Sequence, residues 1–101
     1  MNLLDVREKF GKNIVLSDER WNHIVIRHPE MSDHLEKIKT TLQDPSAIVE
    51  NQYDSNIKIY HKFFTDLAAY VVVIVNETKR FIITAYLGYG IKRGRIVWQK
   101  T

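Results

Sequence analysis

Histidine and arginine recur at close spacing in Trp21-Asn22-His23-Ile24-Val25-Ile26-Arg27-His28-Pro29-Glu30, a segment suited to acid–base chemistry on a phosphate ester. His23 and Arg27 are four residues apart, so on a helix they would share one face. His28 precedes Pro29, which predicts that the helix ends there and that its dipole favours a cationic imidazolium. Histidine moves protons near neutral pH and arginine holds phosphate. The segment predicts a phosphodiesterase site; a helix-capping His28 and a half-buried surface His23 are the simpler alternatives.

A second group of candidates lies on a predicted strand that contains Ile83-Thr84-Ala85-Tyr86. Residues two apart on a strand point to the same face, so we expect Thr84 and Tyr86 to share a face with Ile82 and Arg80. Two hydroxyls and a cation could bind a scissile phosphate and stack a base. Threonine and tyrosine are also common in strands, so this group indicates a site only in combination with the helical one.

Glycines, an aromatic ring and three positive charges are combined in Gly88-Tyr89-Gly90-Ile91-Lys92-Arg93-Gly94-Arg95. Glycine lets backbone amides approach a phosphate, and Lys92 and Arg93 add charge. The segment matches neither the P-loop nor the dinucleotide fingerprint, and a plain hairpin loop would explain its glycines equally well. On an earlier strand, His61 and Lys62 must point to opposite faces, and we favour Lys62 as the one that faces a shared site.

Several other classes of site are disfavoured by the sequence. The chain has no cysteine, which excludes disulfides, thiolate metal sites and thiol nucleophiles. Its four histidines show neither His-x-x-x-His nor His-x-His spacing, so we expect no metal site and no cofactor. A Gly-x-Ser-x-Gly elbow is also absent, which leaves a serine triad without local support.

The net charge is only +3, but it is unevenly distributed. Residues 17–54 contain eight acidic and four basic residues, whereas no acidic residue follows Glu77. The basic residues after that point are Lys79, Arg80, Lys92, Arg93, Arg95 and Lys100. Such asymmetry predicts a polyanionic partner such as RNA, and a solvated basic end that only aids solubility is an equally weighted alternative.

The sequence also predicts a cytoplasmic location. The first eleven residues are charged throughout and lack the apolar region of a signal peptide. The longest apolar run, residues 67–75, is too short to cross a bilayer as a helix. The lack of cysteine is compatible with a reducing compartment.

Periodicity predicts a single α+β domain over residues 1–101. Residues 1–16 read as an N-terminal arm or short helix, and residues 17–44 as a helical hairpin capped by Ser17 and by Ser32-Asp33. Residues 46–98 alternate with a period of two between short turns, which predicts an antiparallel meander. We therefore expect two N-terminal helices packed on one face of a four-stranded antiparallel sheet.

The order of these motifs resembles that of the barnase–EndoU–colicin–RelE-like nucleases, and especially their phage-associated branch. The resemblance covers roughly residues 16–98: a His-Ile and a later His-Pro element, a helix ending in Leu-Gln-Asp-Pro, the strand Ile-Ile-Thr-Ala-Tyr and a basic Ile-Lys-Arg-Gly. It implies a toxin-like, metal-independent endoribonuclease with His23, His28, Thr84 and Tyr86 as catalytic positions. Arg27 is carried over by position and charge alone, as is Lys92.

Such an enzyme would cleave RNA through attack of the RNA 2′-hydroxyl on the neighbouring phosphorus. The resemblance also implies an acidic antitoxin or immunity protein as a second partner besides RNA. The predicted substrate-binding residues are Arg27, Lys62, Arg80, Lys92 and Arg93. Two alternatives stay open: a non-catalytic module on the same fold that binds nucleic acid or protein, and a small regulatory domain that binds proteins through a sheet edge.

Overall fold

The computed structural model describes residues 1–101 and combines seven strands with two α-helices and one 3-10 turn. In chain order the elements are β1 (Asn2–Arg7), β2 (Asn13–Ser17), α1 (Asp18–Arg27), the 3-10 turn (Pro29–Met31), α2 (Leu35–Gln43), β3 (Ala47–Glu50), β4 (Ile57–Phe64), β5 (Ala69–Asn76), β6 (Phe81–Gly88) and β7 (Arg95–Gln99). Neither α-helix combines the length and apolar composition needed to cross a membrane.

All seven strands belong to one mixed sheet, in the order β1-β2-β6-β5-β4-β3-β7. The α+β class is as predicted, but the prediction of a four-stranded antiparallel sheet is wrong. Strands β3 to β6 do pair antiparallel in succession, as a meander requires. However, β7 returns to pair with β3 instead of β6, and β2 pairs with β6 in parallel through Val15 and Phe81.

The N-terminal segment accounts for two of the additional strands. The sequence favoured an arm or a short helix there, but β1 and β2 form an antiparallel hairpin. Leu4 and Val6 in β1 and Ile14 and Leu16 in β2 are the buried residues, and they alternate with more exposed ones. This period of two is characteristic of a strand with one face on the core.

The helical segment follows the sequence signals at its start and departs from them at its second helix. The hydroxyl of Ser17 accepts a hydrogen bond of 3.1 Å from a backbone N–H in the first turn of α1, which confirms the predicted N-cap. Pro29 ends α1 and opens the 3-10 turn. The second helix begins at Leu35, after His34, whose side chain makes no capping bond, and not at Ser32-Asp33.

Both helices pack on one face of the sheet, where they bury the main hydrophobic core. Ile24 of α1 and Ile38 and Leu42 of α2 meet strand residues there, such as Val73 and Ile82, and all of these side chains are inaccessible or nearly so. The second face, opposite the helices, carries a smaller cluster with Ile91 of the β6–β7 connection packed on it. The buried members of that cluster are Val49, Ile59 and Val72.

A buried carboxylate joins the β1–β2 hairpin to the centre of the sheet. One oxygen of Glu8 accepts from the backbone N–H groups of Phe10 at 2.8 Å and Lys12 at 2.9 Å. The other accepts from the Tyr60 hydroxyl at 2.6 Å. Burial and the adjacent Glu8 carboxylate raise the pKa of Tyr60, so this hydroxyl stays protonated and keeps donating.

Replacing Glu8 by alanine should lower the free energy of unfolding by about 2 kcal/mol, because the buried Tyr60 hydroxyl and two loop amides lose their acceptor. Urea unfolding of the wild type and of Glu8→Ala would measure the change. The matched variant combines Glu8→Ala with Tyr60→Phe, which removes the orphaned donor and should recover part of the loss. An unchanged unfolding midpoint in Glu8→Ala would contradict this role of the carboxylate.

Candidate functional site

A cleft of about 330 Å³ lies between α1 and β6. Strand β2 pairs with β6 only at Phe81, and the cleft forms further along β6, where α1 lies beside that strand. The residues that line it are Arg20, His23, Ile24, Arg27, His28, Ile83 and Thr84. Four of the residues predicted from sequence, three from the helical segment and one from a distant strand, therefore meet in one cavity.

Helical spacing positions the side chains on the α1 wall of this cleft. Arg20, His23 and Arg27 follow one another at i, i+3 and i+7, which places them on one stripe of the helix. Ile24, on the same stripe, is buried and anchors the helix to the core. Arg20 was not among the residues predicted from sequence, and its guanidinium also lies 5.9 Å from the ring centre of Phe81. Its spacing from His23 and Arg27 was the signal that could have identified it.

A β-bulge shapes the β6 wall. Val75 pairs with Ile82 and Ile74 pairs with Thr84, which leaves Ile83 as an extra residue in β6. As a result, Ile82 turns into the main core while Ile83 and Thr84 both line the cleft. Strict alternation had predicted that Ile82 shares a face with Thr84, and that prediction is wrong. Bulges commonly re-aim side chains beside functional sites.

Tyr86 lies beyond the cleft and links it to the β6–β7 connection. Its ring centre is 5.4 Å from that of His28, with the two planes tilted by 34°. The Lys92 ammonium lies 5.2 Å from the Tyr86 ring centre, within the range of a cation–π interaction. Nδ1 of His28 also lies 3.8 Å from a carboxylate oxygen of Glu30. His28, Tyr86 and Lys92 therefore form a contiguous extension of the cleft.

The other predicted substrate-binding residues do not line the cleft. Lys62 donates to a carboxylate oxygen of Asp44 at 3.0 Å, and its hydrogen bond helps to hold the Asp44 pKa below its usual range. Arg80 precedes β6 in a turn, with a left-handed φ of +64°, so strand alternation does not apply to it. Arg93 is exposed in the β6–β7 connection.

His61, and not Lys62, points to the same sheet face as Tyr86. Val72 of β5 is the register partner of both His61 on β4 and Tyr86 on β6, so the three side chains share a face. The His61 side chain is fully buried, and its Nε2 accepts a hydrogen bond of 3.0 Å from the backbone N–H of Lys92. Desolvation lowers the pKa of His61, which favours the neutral imidazole that can accept this bond.

Ion pairing separates the basic residues into two sets. Arg95 pairs with Glu50 at 3.1 Å and Lys100 with Asp44 at 3.0 Å, so part of the basic end is neutralised by the acidic half of the same chain. Arg20 and Arg27 of the cleft form no salt bridge, and neither does Lys92 beside it. The cleft and its extension therefore carry positive charges that no carboxylate of the chain pairs with directly.

The cleft has the chemical composition of an anion site. Its lining includes two guanidinium groups, two imidazoles and one hydroxyl, and no carboxylate. Guanidinium groups match the geometry of phosphate oxygens, and imidazoles can give or take a proton near neutral pH. No cluster of three or more His, Cys, Asp or Glu residues suited to a metal ion is present in the structure.

No protein-family model, curated protein or solved structure matches this chain. The resemblance to the barnase–EndoU–colicin–RelE-like nucleases therefore stays a prediction that depends on the order of short motifs.

Proposed function

We propose that this protein is a metal-independent endoribonuclease that cleaves RNA through attack by the neighbouring 2′-hydroxyl. The observation that supports this proposal most strongly is the composition of one cleft. His23, His28 and Arg27 from α1 and its C-terminus meet Thr84 from β6 in a cavity whose lining has no carboxylate. Two imidazoles and a permanently charged guanidinium are groups with which metal-free phosphodiester cleavage can be carried out.

The reaction needs two proton transfers and one displacement at phosphorus. A general base removes the proton of the 2′-hydroxyl, and the 2′-oxygen forms a bond to the adjacent phosphorus. The bond between phosphorus and the 5′-oxygen breaks, and a general acid protonates the leaving oxygen. The products are a 2′,3′-cyclic phosphate and a free 5′-hydroxyl. We assign the two proton transfers to His23 and His28, which line the same cleft.

The cationic residues have a separate task in this proposal. Negative charge accumulates on the phosphate oxygens during the attack, and Arg20 and Arg27 line the cavity where that phosphate would lie. The Thr84 hydroxyl can donate a hydrogen bond to a non-bridging oxygen. The Tyr86 ring contacts the His28 ring and lies next to the Lys92 ammonium. The tyrosine ring can therefore hold the imidazole in place or stack on a base.

The proposal includes a cellular setting and a partner. RNA as substrate implies that the protein acts in the cytoplasm, as the sequence predicts. Free ribonuclease activity would harm its own cell, so a toxin-like enzyme needs a neutralising protein. An acidic antitoxin or immunity protein would be complementary to the unpaired charges of Arg20, Arg27 and Lys92.

The decisive experiment uses purified protein, total RNA and tRNA in the presence of EDTA. We expect fragments that end in a 2′,3′-cyclic phosphate. Once a cleaved position is mapped, a matched oligonucleotide with a single 2′-deoxy nucleotide at that position should resist cleavage, because the attacking oxygen is missing. Cleavage of the deoxy-substituted oligonucleotide at the same bond would refute the mechanism.

The main alternative is a module on the same fold that binds nucleic acid without cutting it. The same samples test it, because a pure binder would leave every RNA intact while its affinity falls steeply with salt. Intact RNA together with salt-dependent binding would replace the ribonuclease proposal with this one.

A further inference from the structure

His61 is a buried imidazole that the proposed reaction does not use. It lies on β4, outside the cleft, and its only hydrogen-bond partner is the backbone N–H of Lys92, 31 residues further along the chain, at 3.0 Å. A polar side chain is costly to bury, so a buried histidine whose bond goes to a distant loop is expected to hold that loop in place.

Residues 89–94, called the 89–94 loop here, connect β6 to β7 across the second face of the sheet. Outside the strand ladders, the bond from Lys92 to His61 is the one hydrogen bond that these residues make. Two other features fix the loop: Ile91 packs on the small cluster of the second face, and Gly94 lies against the backbone of Glu50. The hydrogen bond to His61 is therefore the polar anchor at the middle of the loop.

The anchored residue is also the one that approaches the candidate site. The backbone of Lys92 is held by His61, and its ammonium lies 5.2 Å from the ring centre of Tyr86. That ring in turn lies 5.4 Å from the ring centre of His28. A continuous series of contacts thus leads from the buried imidazole to the cleft.

We infer that His61 is a positioning residue, which anchors the 89–94 loop through its Nε2 and thereby presents Lys92 beside Tyr86 and His28. The consequence for catalysis depends on the proposed ribonuclease function, whereas the anchoring itself does not. Without this hydrogen bond, the backbone of Lys92 would no longer be held in place. Its ammonium group would then not stay at one position relative to a bound phosphate.

The anchor works only while the imidazole is neutral. An accepting Nε2 requires the proton on Nδ1, which is buried and has no hydrogen-bond partner. The backbone groups of Ala47 and Ile59 lie near the ring and partly offset the lowering of its pKa. The titratable side chains around His61 are Tyr70 of β5, at 6.3 Å between ring centres, and Lys92 of the loop. Neither is a carboxylate that would stabilise an imidazolium, so protonation would turn Nε2 into a donor facing the Lys92 N–H and release the loop.

The sign of the pH effect follows from this arrangement. Burial lowers the pKa of His61 in the folded protein below its ordinary value of 6.5. The unfolded chain therefore takes up a proton first as the pH falls. The contribution of the neutral imidazole to stability is complete above pH 6.5 and declines as the pH drops below that value towards the folded pKa. The loop should be anchored at pH 7.5 and released in acid.

Amide hydrogen exchange and NMR of the intact protein test the anchor without any assay of activity. In the wild type at pH 7.5 the Lys92 amide should be protected. In His61→Leu the Lys92 amide should exchange about tenfold faster, relative to its intrinsic rate, than in the wild type. The Tyr86 ring resonances of this variant should shift in the same way as those of Lys92→Ala. His61→Gln, whose side-chain amide can reach towards the position of Nε2, should restore part of both signals. Unchanged Lys92 protection in His61→Leu would overturn the inference.

Acid titration of the wild type gives the same test without a substitution, should His61→Leu not fold. Protection of the Lys92 amide should be lost on acidification before the sheet amides lose theirs, and simultaneous loss would overturn the inference.

In RNA cleavage, His61→Leu should lower kcat/KM as much as Lys92→Ala, with no further loss in the double variant. Full activity of His61→Leu would overturn the positioning role. Absence of cleavage by the wild type refutes only the proposed function, because the NMR signals still decide the anchor.

Discussion

Replacement of His28 by alanine should reduce kcat/KM for RNA cleavage by roughly two to four orders of magnitude, the range typical of removing a general acid or base. His28 lines the cleft, and its ring contacts Tyr86 while its Nδ1 lies near Glu30. Removal of the imidazole takes away one of the two groups that can transfer a proton in the cavity. RNA affinity should change far less, because the guanidinium groups of the cleft are retained. Single-turnover kinetics and a binding titration would separate the two effects.

His34 provides a matched control for this experiment. It is also a partly exposed histidine in the helical segment, but it lies outside the cleft and its side chain makes no capping bond. His34→Ala should therefore cleave RNA at the wild-type rate. Equal losses in both variants would indicate a general effect on folding, and wild-type activity in His28→Ala would remove His28 from the mechanism.

Gly94→Ala should destabilise the protein by about 3 kcal/mol, since it combines backbone strain with overpacking. Gly94 has a φ of +147°, which L-residues rarely adopt, and an added Cβ would overlap the Glu50 carbonyl oxygen and come within 2.7 Å of Cγ1 of Val49. Relief of that overlap would push β7 away from β3. For a domain of this size the melting temperature should fall by roughly 12–24 °C, which calorimetry would measure.

Gly90 supplies the control from the same loop. An added Cβ at Gly90 meets no atom within 4 Å, and its φ is not in the left-handed region. Gly90→Ala should therefore melt within a few degrees of the wild type. Similar melting temperatures for the two alanine variants would show that β7 can shift away from Glu50 at little cost.

The parts of the fold that were predictable from sequence are those fixed by local signals. Ser17 and Pro29 delimit α1, and runs of alternating or apolar residues separated by short turns identify β4 to β6. The N-terminal hairpin was missed because its apolar alternation is short. The pairing of β7 with β3 joins residues that are about half the chain apart, and no local pattern encodes such a partner.

The candidate site likewise combines features that local sequence predicts with features that depend on tertiary contacts. Helical spacing places His23 and Arg27 on one face and would also have included Arg20. Thr84 lies near that helix face only because α1 packs beside β6, and this tertiary arrangement is not encoded in the spacing of either segment. Alternation alone could not show which of His61 and Lys62 faces Tyr86, because that choice depends on how β4 is oriented against β5 and β6.

The place of β7 beside β3 also bears on the order in which the candidate site is assembled during synthesis. Strand β7 is the last of the seven strands to leave the ribosome, and until then β3 has an unpaired edge. The 89–94 loop leads directly into β7, so the docking of that strand fixes one end of the loop that carries Lys92 to Tyr86. A nascent chain can form α1 and the meander early, but its Lys92 extension of the cleft is assembled only in the final stage of folding.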